Sequence, residues 1–242
     1  MSQRPVALLL LFAAMAAASA GTGESVECVI LLHGLARTSA SMDKMEQRLD
    51  EAGYSVVNID YPSRELTIEE LAPLAVDEGL LGCRRTAGLS RIHFVAHSLG
   101  GILVRQYLSE HEIPELGRVV MLGPPNQGSN AADELGGLPG FDWINGPAGR
   151  QLGKGEASVP LALGPADFEL GVIAGSRTID PVGSAVLEDP DDGKVSVFDT
   201  RLEGMDDFVV VEHSHAFLMR MQKPIELTIR FLQTGSFELP DD

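Results

Sequence analysis

The chain has 242 residues, 22% of them charged and 44% hydrophobic, with a formal net charge of −17 at pH 7. That length accommodates one sizeable α/β domain or two small ones, and the composition is that of a globular protein, not a disordered one. The acidic excess argues against nucleic acid and anionic membrane surfaces as partners, because like charges repel.

The first twenty residues stand apart. Arg4 supplies a positive charge, Val6 to Ala17 form an apolar run, and Ala18-Ser19-Ala20 is a small-x-small cleavage signature. Residues 1–20 therefore read as a secretory signal peptide cleaved after Ala20, with an uncleaved anchor as the alternative. The run is short for a membrane span, so no transmembrane segment is expected after cleavage, and the mature protein is expected in the periplasm or outside the cell. Cys28 and Cys83 fit an oxidising compartment, where they can pair; two separate buried thiols are the alternative.

Beyond the leader, apolar runs and helical patterns alternate. Glu27 to Leu32 reads as a strand buried on both faces, ending in His33-Gly34-Leu35-Ala36-Arg37. Ser41 to Ala52 reads as a helix with Met42, Met45 and Leu49 on one face and Gly53 as its stop. Tyr54 to Ile59 is a second strand. Thr67-Ile68-Glu69-Glu70 has capping-box spacing for a helix that Pro73 should kink or delay. Arg91 to Val95 and Gly117 to Leu122 are the third and fourth strands, Leu170 to Gly175 the fifth and Asp207 to Val211 the sixth. A closing amphipathic helix begins near Pro224 and stops at Gly235. Between Gln127 and Asp167 the chain is rich in Gly and Pro with weak periodicity. It reads either as an irregular excursion over the functional site, a lid, or as a long surface connection. The alternation implies a mostly parallel sheet of about six strands with helices on both faces, without internal repeat or linker, so residues 21–242 are expected to form one domain. In such sheets functional groups gather at the carboxyl ends of strands.

Ala96-His97-Ser98-Leu99-Gly100-Gly101 lies at such an end, between the third strand and a helical run from Ile102 to Leu108. A serine between small residues at a strand-to-helix corner has the form of a nucleophile elbow. Its strained backbone lifts the hydroxyl clear of the sheet, and the positions two before and two after must be small. They are Ala96 and Gly100. A serine hydroxyl needs an adjacent base, and the base needs a carboxylate to fix its tautomer.

In enzymes built on this corner both partners follow the serine in sequence. Of the downstream histidines, His111 ends a helix away from the strand tips, while His213 and His215 follow the sixth strand. His215, nearer the loop tip, is the expected base, and His213 the alternative. The acid is expected from the loop after the fifth strand. Asp192, ahead of a possible helix start at Lys194 to Phe198, is preferred, with Asp180 as runner-up and Asp189 and Asp191 as solvated turn residues. The backbone N–H groups of Leu99 and Leu35 are the expected oxyanion donors. His33 reads as a structural strand-end histidine; His93 and His97 flank the elbow without reaching across it. No ligand spacing among the acidic residues demands a metal.

Together, Leu32-His33-Gly34-Leu35, Ala96-His97-Ser98-Leu99-Gly100-Gly101, Gly123-Pro124-Pro125-Asn126-Gln127-Gly128-Ser129, Asp192-Gly193 and Ser214-His215 resemble the bacterial triacylglycerol lipase and esterase branch of the α/β-hydrolases. Ala96, in place of the family's commoner glycine, is the one departure. The resemblance implies an α/β-hydrolase fold and hydrolysis of small-molecule or lipid carboxylic esters through an acyl-serine, without a cofactor. An acyltransferase using the same intermediate and a non-catalytic binding protein on the same fold are the alternatives.

Overall fold

A computed structural model describes residues 25–136, 140–188 and 190–238. The leader at 1–20 and Asp189 lie outside the described residues. In chain order the elements are β1 (Val26–Leu32), α1 (Asp43–Glu51), β2 (Ser55–Ile59), α2 (Ile68–Cys83), β3 (Leu89–His97), α3 (Leu99–Leu108), β4 (Leu116–Leu122), α4 (Asn130–Gly136), α5 (Phe141–Gln151), α6 (Val159–Ala162), β5 (Leu170–Gly175), α7 (Pro181–Ser184), β6 (Asp207–Val211) and α8 (Gln222–Thr234). The six strands form one sheet in the order β2-β1-β3-β4-β5-β6, and every pairing is parallel.

The period-2 geometry of a strand sorts its side chains between two layers. On β1, Cys28, Ile30 and Leu32 join a core with α2 and α3, including Leu71, Val76, Ile102 and Leu103. Val29 and Leu31 face the other way, onto α1 and α8, where they meet Met45, Leu49, Ile225 and Phe231. β3 repeats the pattern, with Ile92, Phe94 and Ala96 on the first face and Val95 on the second. Both faces of the sheet are thus covered by helices, which is why these strands read as unbroken apolar runs.

Local chemistry sets the boundaries. Thr67 accepts from the Glu70 amide while the Glu70 carboxylate accepts from the Thr67 N–H, a complete capping box. This cap starts α2 at Ile68, so Pro73 does not delay the helix but sits inside it. The segment Lys194 to Phe198 is not a helix: Asp191 bridges to Ser196 and the chain turns through it. Three helices, α4 to α6, occupy the Gly- and Pro-rich stretch between β4 and β5, so that stretch is more regular than its sequence indicates. Its weak periodicity has a cause in α5, where Gly146 breaks the helical backbone ahead of Pro147.

Cys28 and Cys83 are joined in a disulfide, their Cα atoms 5.7 Å apart. It ties β1 to the end of α2 on the amino side of the sheet. Among the described residues no helix is long and apolar enough to cross a membrane.

Candidate active site

The strand order reverses between β1 and β3, and the loops leaving the carboxyl ends of the strands open onto a cavity of about 420 Å³. Leu35 and Arg37 from the β1 loop, Ser98 from the β3–α3 corner, Pro125 from the β4 loop and His215 from the β6 loop all border it.

Ser98 closes β3 and precedes the first residue of α3, at φ 53° and ψ −118°. Only Ala36 and Ser98 among the described non-glycine residues have positive φ, a conformation that costs on the order of 1–3 kcal/mol each. The Ser98 amide still donates to the Leu122 carbonyl, so the corner is anchored to β4. Gly100 shows why the position two beyond must be small: a Cβ there would lie 2.7 Å from the Leu32 carbonyl oxygen. Leu99 opens α3, so its N–H has no acceptor within the helix. Among the described residues neither the Leu99 nor the Leu35 amide is given to another protein group. Two free donors therefore flank the serine, and the positive end of α3 adds to their field.

His215 and Asp192 meet at the same rim. The His215 Nδ1 and Asp192 Oδ2 atoms are 2.8 Å apart, and both side chains are largely buried. Asp192 Oδ1 accepts from the amides of Lys194 and Val195, and the Asp192 carbonyl accepts from the His215 amide. The carboxylate is held by the turn itself, where the sequence suggested the start of a helix. With Nδ1–H given to Asp192, Nε2 of His215 is left as the basic nitrogen. The Ser98 hydroxyl and His215 do not hydrogen-bond each other in this structure. Contacts of this kind often tighten only when substrate binds.

The other candidates are engaged elsewhere. His213 gives its amide to Val211 and its carbonyl to Arg177, and does not border the cavity. Asp180 pairs with Lys194 at 2.8 Å and caps the amides of Val182 and Gly183; Lys194 and these amides hold its carboxyl below the usual carboxylate range. Asp191 accepts from Ser184 and Gly193. His33 stacks on Tyr61 and satisfies both ring nitrogens with backbone groups of Gly34 and Tyr61; burial lowers its pKa. His93 accepts the Arg118 amide.

His97 lies against His215, a contact its sequence position did not indicate. Its Nε2–H donates to the His215 carbonyl at 3.0 Å, and the two rings lie 4.7 Å apart. Burial first, and then the neighbouring His215, drive its pKa well below the ordinary value.

A model of the alpha/beta hydrolase family matches residues 29–225. The chain belongs to the alpha/beta hydrolase family. Solved structures give the same architecture. The mature lipase BlEst2 of Bacillus licheniformis superposes with a TM-score of 0.67 at 18% identity, over 88% of this chain and 93% of that one. Phospholipase PlaB from Legionella pneumophila gives 0.65 at 19% identity, over 88% of this chain and 60% of that one. An extracellular α/β-hydrolase from a Paenibacillus species gives 0.53 at 15% identity, over 84% and 97%. At these identities the likeness is one of fold. Comparison with curated proteins finds no match.

Three features of this alpha/beta hydrolase are not evident from its sequence. Gly123, at φ 57° after β4, makes room for the Asp192–His215 pair: a Cβ there would come within 3.0 Å of Asp192 Oδ2 and 3.1 Å of His215 Nδ1. Arg105, buried on α3, donates to the carbonyl and side-chain oxygens of Asn126 and to the carbonyls of Pro160 and Gly164. Burial lowers its pKa to about 10. Asn126 in turn donates to the Thr200 carbonyl, and Ser129 to that of Lys194, so the loops around the cavity are stitched together from beneath. The Gly-Pro-Pro-Asn stretch marked the place. The long-range partners could not be read from it.

Finally, α4 and α5 lie over the site. Ala131, Ala132, Ile144 and Leu152 give the cavity an apolar wall, while Trp143 on the same helix as Ile144 is 82% exposed.

Proposed function

We propose that the protein is an exported serine hydrolase that cleaves carboxylic esters. The observation that carries this reading is the buried 2.8 Å His215–Asp192 contact on the rim of the cavity bordered by Ser98. In this mechanism Ser98 Oγ attacks the acyl carbon while His215 Nε2 takes its proton. The tetrahedral oxyanion is held by the amides of Leu35 and Leu99. Collapse breaks the bond to the alkoxy group, which leaves with the proton from His215, and the acyl group remains on Ser98. Water, deprotonated by the same imidazole, then releases the acid and regenerates the serine. Asp192 keeps His215 in the required tautomer and stabilises its cation, and the apolar wall from α4 and α5 receives the acyl chain.

The leader at residues 1–20 and the disulfide support export to the periplasm or the cell exterior. The test is hydrolysis of p-nitrophenyl butyrate by the mature chain and by Ser98→Ala. Turnover is expected to fall at least 10³-fold in the variant while the melting temperature holds. Full activity in Ser98→Ala removes the serine from the mechanism. Extending the acyl chain, with and without an oil–water interface, separates lipase from esterase behaviour.

A further inference from the structure

Arg37 follows Leu35 by two residues in the loop leaving β1, and its side chain forms part of the cavity wall that Ser98 and His215 share. It is partly buried, and among the described residues it makes neither a hydrogen bond nor an ion pair. Burial lowers its pKa, the Arg220 guanidinium lowers it further, and no carboxylate among the described residues opposes them. Arg220 itself is occupied by the carbonyls of Ala40 and Ser41. The contrast with Arg105 is direct, since that buried guanidinium spends its donors on four acceptors. Removing a cation from water without a partner costs free energy. In a chain with 35 acidic residues, a carboxylate to neutralise it was readily available. The other cation at the cavity, Lys194, is already paired with Asp180.

A planar guanidinium with free donors is suited to bind a carboxylate or phosphate through two parallel hydrogen bonds. We infer that Arg37 is an anion-binding subsite of this cavity, and that the preferred ester carries a phosphate or carboxylate group. The inference rests on the proposed ester hydrolysis at Ser98. Because Arg37 shares a loop with Leu35, an anion held there also fixes the loop that supplies one oxyanion donor.

Calorimetric titration of the mature protein with hexyl phosphate, heptanoate and hexanol tests this without turnover. Either anion, or both, is expected to bind at least ~10-fold more tightly than hexanol, a difference of about 1.4 kcal/mol. Which anion gains the advantage identifies the group recognised. The advantage should vanish in Arg37→Gln and persist in part in Arg37→Lys, which keeps the charge but loses the fork. Arg37→Gln should melt no lower than the parent, since the substitution removes an uncompensated charge. Equal affinity for all three ligands, or an anion preference that survives in Arg37→Gln, overturns the proposal. With esters of one acyl chain, the kcat/KM ratio of anionic to neutral substrate should fall ~10-fold in Arg37→Gln. Absence of turnover of both esters by the parent protein counts against the hydrolase reading alone, because the binding comparison stands independently of it.

Discussion

The two ends of the parallel sheet differ in what their residues are doing. At the amino end the described groups tie elements to one another. The Cys28–Cys83 disulfide closes α2 onto β1, Arg84 forms a forked pair with Glu115, and Ser55 meets Thr86. At the carboxyl end the chain tolerates positive φ at Ala36 and Ser98, and among the described residues the amides of Leu35 and Leu99 meet no protein acceptor. Strain and unsatisfied donors persist only where the surroundings over-determine them, and they collect where a ligand completes them. The proposed chemistry therefore falls at the end that carries the strain, away from the disulfide.

Substitutions at the two ends should therefore separate activity from stability. The largest effect is expected from Asp192→Asn at the carboxyl end. It keeps the shape of the side chain but favours the wrong imidazole tautomer, and kcat should fall ~10³- to 10⁴-fold with little change in melting. Full activity in that variant would move the acid elsewhere, with Asp180 the next to test.

The mirror experiment replaces Cys28 and Cys83 with alanine at the amino end. Opening a crosslink across 55 residues should cost about 4 kcal/mol by loop entropy. Ester turnover at 25 °C should remain within about twofold of the parent. A large loss of kcat in the folded double variant would show that the two ends are coupled.

Gly123→Ala sharpens the boundary, because its backbone is strained for alanine and its Cβ would press on the Asp192–His215 pair. A loss of ~1–2 kcal/mol in stability should accompany a kcat reduced ~10-fold. A stability loss without any change in kcat would show that the pair does not need this space.

A further effect is in pH. His33, His93 and His97 all have pKa values lowered from 6.5, with burial the largest cause in each. Glu27 and Asp60 only partly oppose this at His93 and His33. The unfolded chain binds more protons than the folded one once pH drops below 6.5. Stability should therefore be full above that pH and decline below it, each histidine adding at most ~1.4 kcal/mol per pH unit. Denaturant unfolding at pH 7.5, 6 and 5 measures the slope, and a flat profile contradicts the neutral burial of these rings.

What could be read from the sequence follows the same division. The strands were legible because burial on both faces writes continuous apolar runs such as Val29-Ile30-Leu31-Leu32, and Ser98 because a strained corner demands small neighbours. His215 and Asp192 could be nominated because chain order and strand tips leave few alternatives. The turn at Lys194 to Phe198 was misread as a helix start, since a carboxylate collecting two amides suits a turn and a helix cap equally well. The helix α5 is hidden in the sequence because Gly146 and Pro147 interrupt its period, while α4 and α6, of 7 and 4 residues, are too short to show one. The roles of Arg37 and Arg105 depend on what lies around each guanidinium in space, and no local pattern encodes that.

The most direct test of the central claim, that Ser98, His215 and Asp192 act as one unit, is covalent labelling with an alkyl fluorophosphonate followed by peptide mass spectrometry. One phosphonyl group per chain is expected, on the peptide containing Ser98, absent in Ser98→Ala and formed at least ~10³-fold more slowly in His215→Ala. Labelling at a different residue, or equal rates with and without the imidazole, would contradict it.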